Sequence, residues 1–327
     1  MMPLLLCVLS CAVFAAGLTA QAALPAGDAR VLVTVTELKP GSPPVAPATF
    51  RVRDRGTAWK VLGWQAVPRS VQLWIALDDD SSAALNRRLD DVRKFILHLP
   101  SAFQVGVVYF SLSGAQIAAP LSNKHRAAAA AVRPVKAMQG ISPDPYAALQ
   151  SLLEQWPAVP GVRRAVLIFS DGVLHSGGDN NPSNHSFQAA EARAQQADVT
   201  VFGLSVPDAG NAMGIGVGGE VQPSLRAQGG GNSTMNSPAA TPAMAAAQGE
   251  GNLRTLAEAT GGWWNEVTLP MTVLPGELAA VLSCMQHQFY LVFAVPPGTP
   301  AAWVPLKIDS HAKGAKVSVP PGVYLGS

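Results

Sequence analysis

Four unbroken apolar runs constrain this chain more than any other feature: VQLWIAL (71–77), FQVGVVYF (103–110), AVLIF (165–169) and VTVFGLSV (199–206). A strand with one wet face alternates apolar and polar residues. A run apolar at nearly every position is instead a strand covered on both faces, as in a parallel sheet held between helices. The segments between the runs supply those helices. Leu85, Leu89, Val92 and Ile96 recur at steps of four, three and four, one face of a helix that Pro100 closes. Further helices are predicted near 123–132, 145–156 and 187–197, and Pro145 suits a first helical turn. Residues 114–121 read as a short edge strand. Strands and helices alternating in this way predict an α/β fold, a doubly wound, mainly parallel, Rossmann-like sheet.

The flanks follow a different rhythm. ARVLVTVTEL (29–38) alternates on a period of two, and TFRVRDRG and AWKVLGWQAV meet near Gly56 as two more strands. The tail after residue 288 gives about three β segments of the same kind. The two flanks are expected to meet as one small accessory sheet. The chain then divides into a signal peptide (1–22), an N-terminal β segment (23–67), the α/β domain (68–287) and a C-terminal β segment (288–327). Residues 207–251 are low in complexity, rich in Gly, Ala, Ser, Asn and Pro, and read as a flexible inserted loop. A helix is expected to begin only after it, at Asn252.

Residues 4–20, LLLCVLSCAVFAAGLTA, form an apolar core followed by the cleavage pattern Ala20-Gln21-Ala22. Export to the periplasm or outside the cell is therefore expected; an uncleaved membrane anchor is the rival reading. Cleavage after Ala22 removes Cys7 and Cys11 and leaves Cys284, which cannot form an internal disulfide. No later segment is apolar for long enough to span a membrane. A formal net charge of +2 leaves no electrostatic footprint for nucleic acid. Gly214-x-Gly216-x-x-Gly219 matches a dinucleotide-binding fingerprint in letters only, since no strand closes before it and no periodic helix follows.

The chemistry concentrates where strands end. In LWIALDDDSSAAL (73–85) an apolar run stops at Asp78, Asp79 and Asp80, followed by Ser81 and Ser82. AVLIFSDG likewise stops at Asp171. Ligands of open α/β sheets bind outside the carboxyl ends of the strands, at a topological switch point. Together with the stretch from Gly140 to Leu149 and with LAEATGGWW, these segments resemble, in order, a von Willebrand factor type A domain. The whole mature chain is similar to the VWFA-related proteins common in Acidobacteria, whose C-terminal β stretch ends near an RPGYY-like motif, here Val319-Pro-Pro-Gly-Val-Tyr324. The loop at 207–251 has no counterpart in the resemblance.

That resemblance implies a fold and a metal-ion-dependent adhesion site. Carried over by position, Asp78 and Ser82 match the first loop, Asp80 stands where its first serine belongs, and Asp171 matches the last aspartate. The second-loop threonine is missing, and Ser142 or Asp144 lies nearest its place. The implied cofactor is Mg²⁺ or Ca²⁺, hard ions that take oxygen ligands. Three carboxylates would leave the site net negative, which suits Ca²⁺ better than it suits an acidic partner. The implied function is an exported, non-enzymatic protein-binding or adhesion module. A structural or assembly component that binds without metal is the alternative. A hydrolase ranks last, because no nucleophile-elbow motif is present. Acids and serines before a helix can also be plain N-caps.

Two other groupings are weaker. His175, Asp179 and His185 share one loop and could ligate a transition metal, though solvated loop histidines are commoner. Trp263 and Trp264 are adjacent on a predicted strand, so one is expected to pack inward and the other to face the accessory sheet or solvent.

Overall fold

The computed structural model describes residues 27–79, 85–136, 144–173, 183–206, 242–267 and 273–325. The apolar runs form the middle of a six-stranded sheet. Its strands are β5 (Val71–Asp78), β6 (Phe103–Ser111), β7 (Gly114–Ser122), β8 (Arg163–Ser170), β9 (Val199–Ser205) and β10 (Trp264–Glu266). They lie in the order β10-β9-β8-β5-β6-β7. All neighbours are parallel except β7, an antiparallel edge strand on β6.

Both faces are covered, which is why β5 and β9 are buried at every position. Odd-numbered residues of β5 face one layer. Leu73, Ile75 and Leu77 pack there against α1 (Leu89–His98), α2 (His125–Ala130) and α6 (Leu274–Gln286). The predicted stripe Leu85, Leu89, Val92 and Ile96 lies in this layer, at most 2% exposed. Trp74 and Ala76 face the other layer, against α3 (Pro145–Glu154), α4 (His185–Gln196) and α5 (Pro242–Ala259). Trp263 packs against the first layer and Trp264 against the second, and both are half-buried. Arg254 lies over the Trp264 ring, 4.4 Å from its centroid.

One expectation is corrected. The segment expected to be a loop as far as residue 251 is helical from Pro242, so α5 begins ten residues before Asn252. The reason is a backbone contact. A Cβ on Gly249 would sit 2.7 Å from the Gly172 carbonyl carbon and the Val173 nitrogen. Gly249 lets α5 press against the turn after β8. The two flanks meet, as expected, in a small antiparallel sheet, and two smaller antiparallel sheets accompany it. β1 (Asp28–Leu38), β4 (Val61–Ala66), β11 (Gln288–Ala294) and β14 (Ala315–Ser318) pair in the order β14-β1-β11-β4. β2 (Phe50–Asp54) pairs with β3 (Thr57–Trp59) and β13 (Lys307–Ser310), and β12 (Trp303–Pro305) pairs with β15 (Gly322–Tyr324). Val31, Val33, Phe50, Trp59, Leu291 and Phe293 give this unit its own core.

Polar side chains join the unit to the α/β domain. Thr34 Oγ1 donates to the Gly261 carbonyl at 2.5 Å and accepts from Gln288 Nε2 at 2.8 Å. Arg163 donates to the Gln288 side chain and to the carbonyls of Pro68 and Met285. Among the described residues no carboxylate acts on that guanidinium, and burial lowers its pKa to about 10.

Among the described residues no helix is long and apolar enough to cross a membrane.

Candidate functional site at the carboxyl edge of the sheet

From β5 the chain passes through α1 to β6 on one side. From β8 it passes through α4, on the opposite face, to β9 on the other side. β5 and β8 are therefore the neighbours from which connections diverge, the position beyond whose carboxyl ends open α/β sheets bind ligands. Asp78 ends β5, Ser170 ends β8, and Asp171 follows directly.

Asp78 is 2% exposed and Asp171 7%. Ser170 Oγ donates to Asp78 Oδ2 at 2.6 Å and accepts from the Gly172 backbone N–H at 2.9 Å. Asp171 Oδ1 accepts from the Val173 N–H at 2.9 Å, which fixes the carboxylate over its own turn. Ser170→Ala should cost about 1–3 kcal/mol, because it strips a donor from a buried carboxylate; urea melts of the two proteins measure it.

Tyr146 lies beneath this edge. Its hydroxyl donates to the Gly172 carbonyl at 2.9 Å. Burial raises its phenol pKa, and the fields of Asp171, Asp144 and Asp78 raise it further. Acids from three segments thus act on one buried hydroxyl, which stays a neutral donor.

Asp79 is occupied differently from its neighbour. It is 4% exposed and takes both Arg133 Nη atoms, at 2.8 and 3.0 Å, together with Lys136 Nζ at 3.1 Å and the Lys136 N–H at 3.2 Å. Burial alone would raise its carboxyl; hydrogen bonds and charge from Arg133 and Lys136 outweigh that and hold it below the ordinary range. The Arg133 guanidinium also lies 3.7 Å from the centroid of the Tyr109 ring. Asp79 is thus a structural clamp and adds little negative charge to this edge.

The capping alternative separates by residue. Asp144 is an N-cap, its Oδ1 accepting from the N–H groups of Tyr146 and Ala147 at 2.9 and 3.0 Å, with Pro145 in the first turn. Neither Asp78 nor Asp79 caps α1. That helix follows a 3₁₀ turn, Leu85–Arg88, and no side chain bonds its N-cap. Asp80, Ser82 and Ser142 lie outside the described residues, as do His175 and Asp179. His185 is exposed at the start of α4, beside the capping Asn184. Of the implied ligands, Asp78 and Asp171 are on neighbouring strand ends. Among the described residues no group of three or more His, Cys, Asp or Glu side chains could hold a metal ion. Sequence reasoning did not find Arg133, Lys136 or Tyr146, which carry no local signal for this edge.

No family model and no curated protein matches the chain. Solved structures similar to it include the conserved hypothetical protein BatB from Bacteroides thetaiotaomicron, 15% identical, with 65% of this chain and 98% of that one covered and a TM-score of 0.39. Another is an aerotolerance-related membrane protein from Bacteroides fragilis NCTC 9343 with multiple mutations to serines, at 16%, 65%, 98% and 0.39. The N-terminal domain of TFIIH p34 gives 13%, 65%, 96% and 0.39. At such identities and scores these likenesses assign neither a family nor a ligand.

Proposed function

We propose that this chain is an exported, non-enzymatic protein-binding module of von Willebrand factor A type, working through the carboxyl edge of its six-stranded sheet. The observation that carries the reading is the meeting of two buried acids, Asp78 and Asp171, at the switch point between β5 and β8. The donor chemistry suits a hard divalent cation, Mg²⁺ or Ca²⁺, because carboxylate and hydroxyl oxygens are the ligands such ions take. Asp78 and Asp171 would hold it, with Asp80, Ser82 and Ser142 as further donors in the resemblance. When bound, the ion supplies an open coordination position for an oxygen of the protein ligand. Ser170 orients Asp78, and the turn at Gly172 orients Asp171.

A second reading, an assembly component that binds without metal, is favoured by one observation. Asp78 already has a donor in Ser170, and Asp79 is neutralised by Arg133 and Lys136. Melting curves in EDTA and in millimolar Mg²⁺ or Ca²⁺ separate the two. An ion at a hundred times its Kd stabilises the folded state by about 2.7 kcal/mol. The metal reading expects a rise of that order for the wild type and its loss in Asp171→Asn. Identical curves for wild type and variant with and without ion would leave only the metal-free module.

A further inference from the structure

A second concavity lies at the seam between the α/β domain and the flanking sheets, away from the carboxyl edge. It is a cleft of about 260 Å³. One wall is built from helix ends: α4 stops at Gln196 and α5 at Ala259, and Gln195 Nε2 ties them by donating to the Ala259 carbonyl at 3.1 Å. A helix C-terminus carries about half a negative charge on its last carbonyls and favours cations. Here two such ends meet at one cleft.

The same wall carries Asp198, held in the left-handed region at φ 50° and accessible from the cleft. A short polar residue takes that conformation readily just past a helix end, and here it sets Asp198 beside the last turn of α4. The charges of Arg30 and Arg164 act on its carboxyl, and no described residue donates a hydrogen bond to it. Arg30 also lines the cleft: it lies 4.2 Å from the centroid of the Tyr290 ring, donates to Gln65, and its charge reaches Asp198. Aromatic rings also line the cleft, Tyr290 and the tilted pair Trp303 and Tyr324, whose centroids are 4.9 Å apart at an interplanar angle of 52°. Gln196 reaches across to donate to the Tyr324 hydroxyl at 3.1 Å.

Helix C-termini, an accessible carboxylate and ring faces all favour positive charge on a partly apolar body. We propose that this seam cleft binds an alkyl-chain cation, a primary ammonium or guanidinium group, with Asp198 as its counter-charge. Cofactor and substrate sites commonly occupy such positions between two packed units.

The test uses the full chain and n-butylammonium chloride, titrated at constant ionic strength while the Trp303 indole N–H is followed by NMR. That resonance is assigned with Trp303→Phe. A saturable shift is expected, and Asp198→Asn should weaken it at least tenfold. Asparagine accepts the left-handed conformation as readily as aspartate, so the variant should keep the wild-type spectrum elsewhere. N-acetyl-lysine methylamide asks whether the cation is a side chain within a polypeptide: tighter binding than n-butylammonium assigns that source, weaker binding a free amine, and saturation by either supports the site. n-Butanol should leave the resonance in place. Absence of saturation with both cations, equal binding by Asp198→Asn, or an equal response to n-butanol would overturn the proposal.

Discussion

Gly172→Ala should destabilise the protein by about 2–5 kcal/mol, the sum of two separate costs. Gly172 has φ +71°, and a side chain in the left-handed region costs about 1–2 kcal/mol. Its Cβ would also lie 2.2 Å from the Gly249 carbonyl oxygen on α5. Overpacking of this kind costs about 1–3 kcal/mol where the obstacle is backbone and cannot rotate away. Gly161 isolates the first cost: its φ is +74°, and a Cβ there meets nothing within 4 Å. Urea denaturation of wild type, Gly161→Ala and Gly172→Ala should rank them in that order of decreasing stability. Equal losses in the two variants would mean that α5 does not rest on the turn carrying Asp171.

Arg133→Met should cost about 2–4 kcal/mol, more than Asp79→Asn. Removing Arg133 leaves a buried carboxylate with Lys136 alone, whereas removing the Asp79 charge leaves cations that reach solvent: the Arg133 and Lys136 side chains are 39% and 52% exposed. The pH dependence follows from the lowered Asp79 carboxyl. A depressed folded-state value contributes stability that is present above the unfolded value, about 3.9, and is lost as pH falls through the folded value below it. The gap between wild type and Arg133→Met should therefore hold at pH 7 and narrow below about pH 4. A gap independent of pH would mean that Arg133 acts through its packing on Tyr109 rather than through Asp79.

The parts legible in the sequence are those with short-range causes. The runs around Ile75 and Val107 announce strands because every residue is apolar, and the stripe from Leu85 to Ile96 announces a helix because its period is local. Asp144 reads as a candidate for the second-loop position of the metal site, and the structure shows it capping α3 directly before Pro145. What stayed hidden depends on partners distant in the chain. Asp79 reads as one of three equivalent acids until Arg133, 54 residues away, pairs with it. Gly249 and Gly251 read as loop because glycine is a poor helix former; the backbone contact that accounts for Gly249 lies across space at Gly172. The division of the flanks into three sheets rests on pairings such as Val52 with Ile308, which no periodicity encodes. Of the implied metal ligands, Asp78 and Asp171 were correctly assigned to strand ends, since where an apolar run stops is itself a local signal.

The pairing of β1 with β11 imposes an order on how this protein can be made. All six strands of the central sheet lie between Val71 and Glu266, so that sheet has its full complement before β11 leaves the ribosome. β1 emerges first and has no sheet to join until Gln288–Ala294 arrives; its Thr34 waits for Gln288, 254 residues later. Through that interval an apolar strand with open edges is carried by a growing chain, the state most prone to pairing with the wrong partner. A chain interrupted between α6 and β11 would therefore keep its central sheet and still present β1 and β4 unpaired. Such a product is a substrate for chaperones and proteases rather than a shortened version of the same protein.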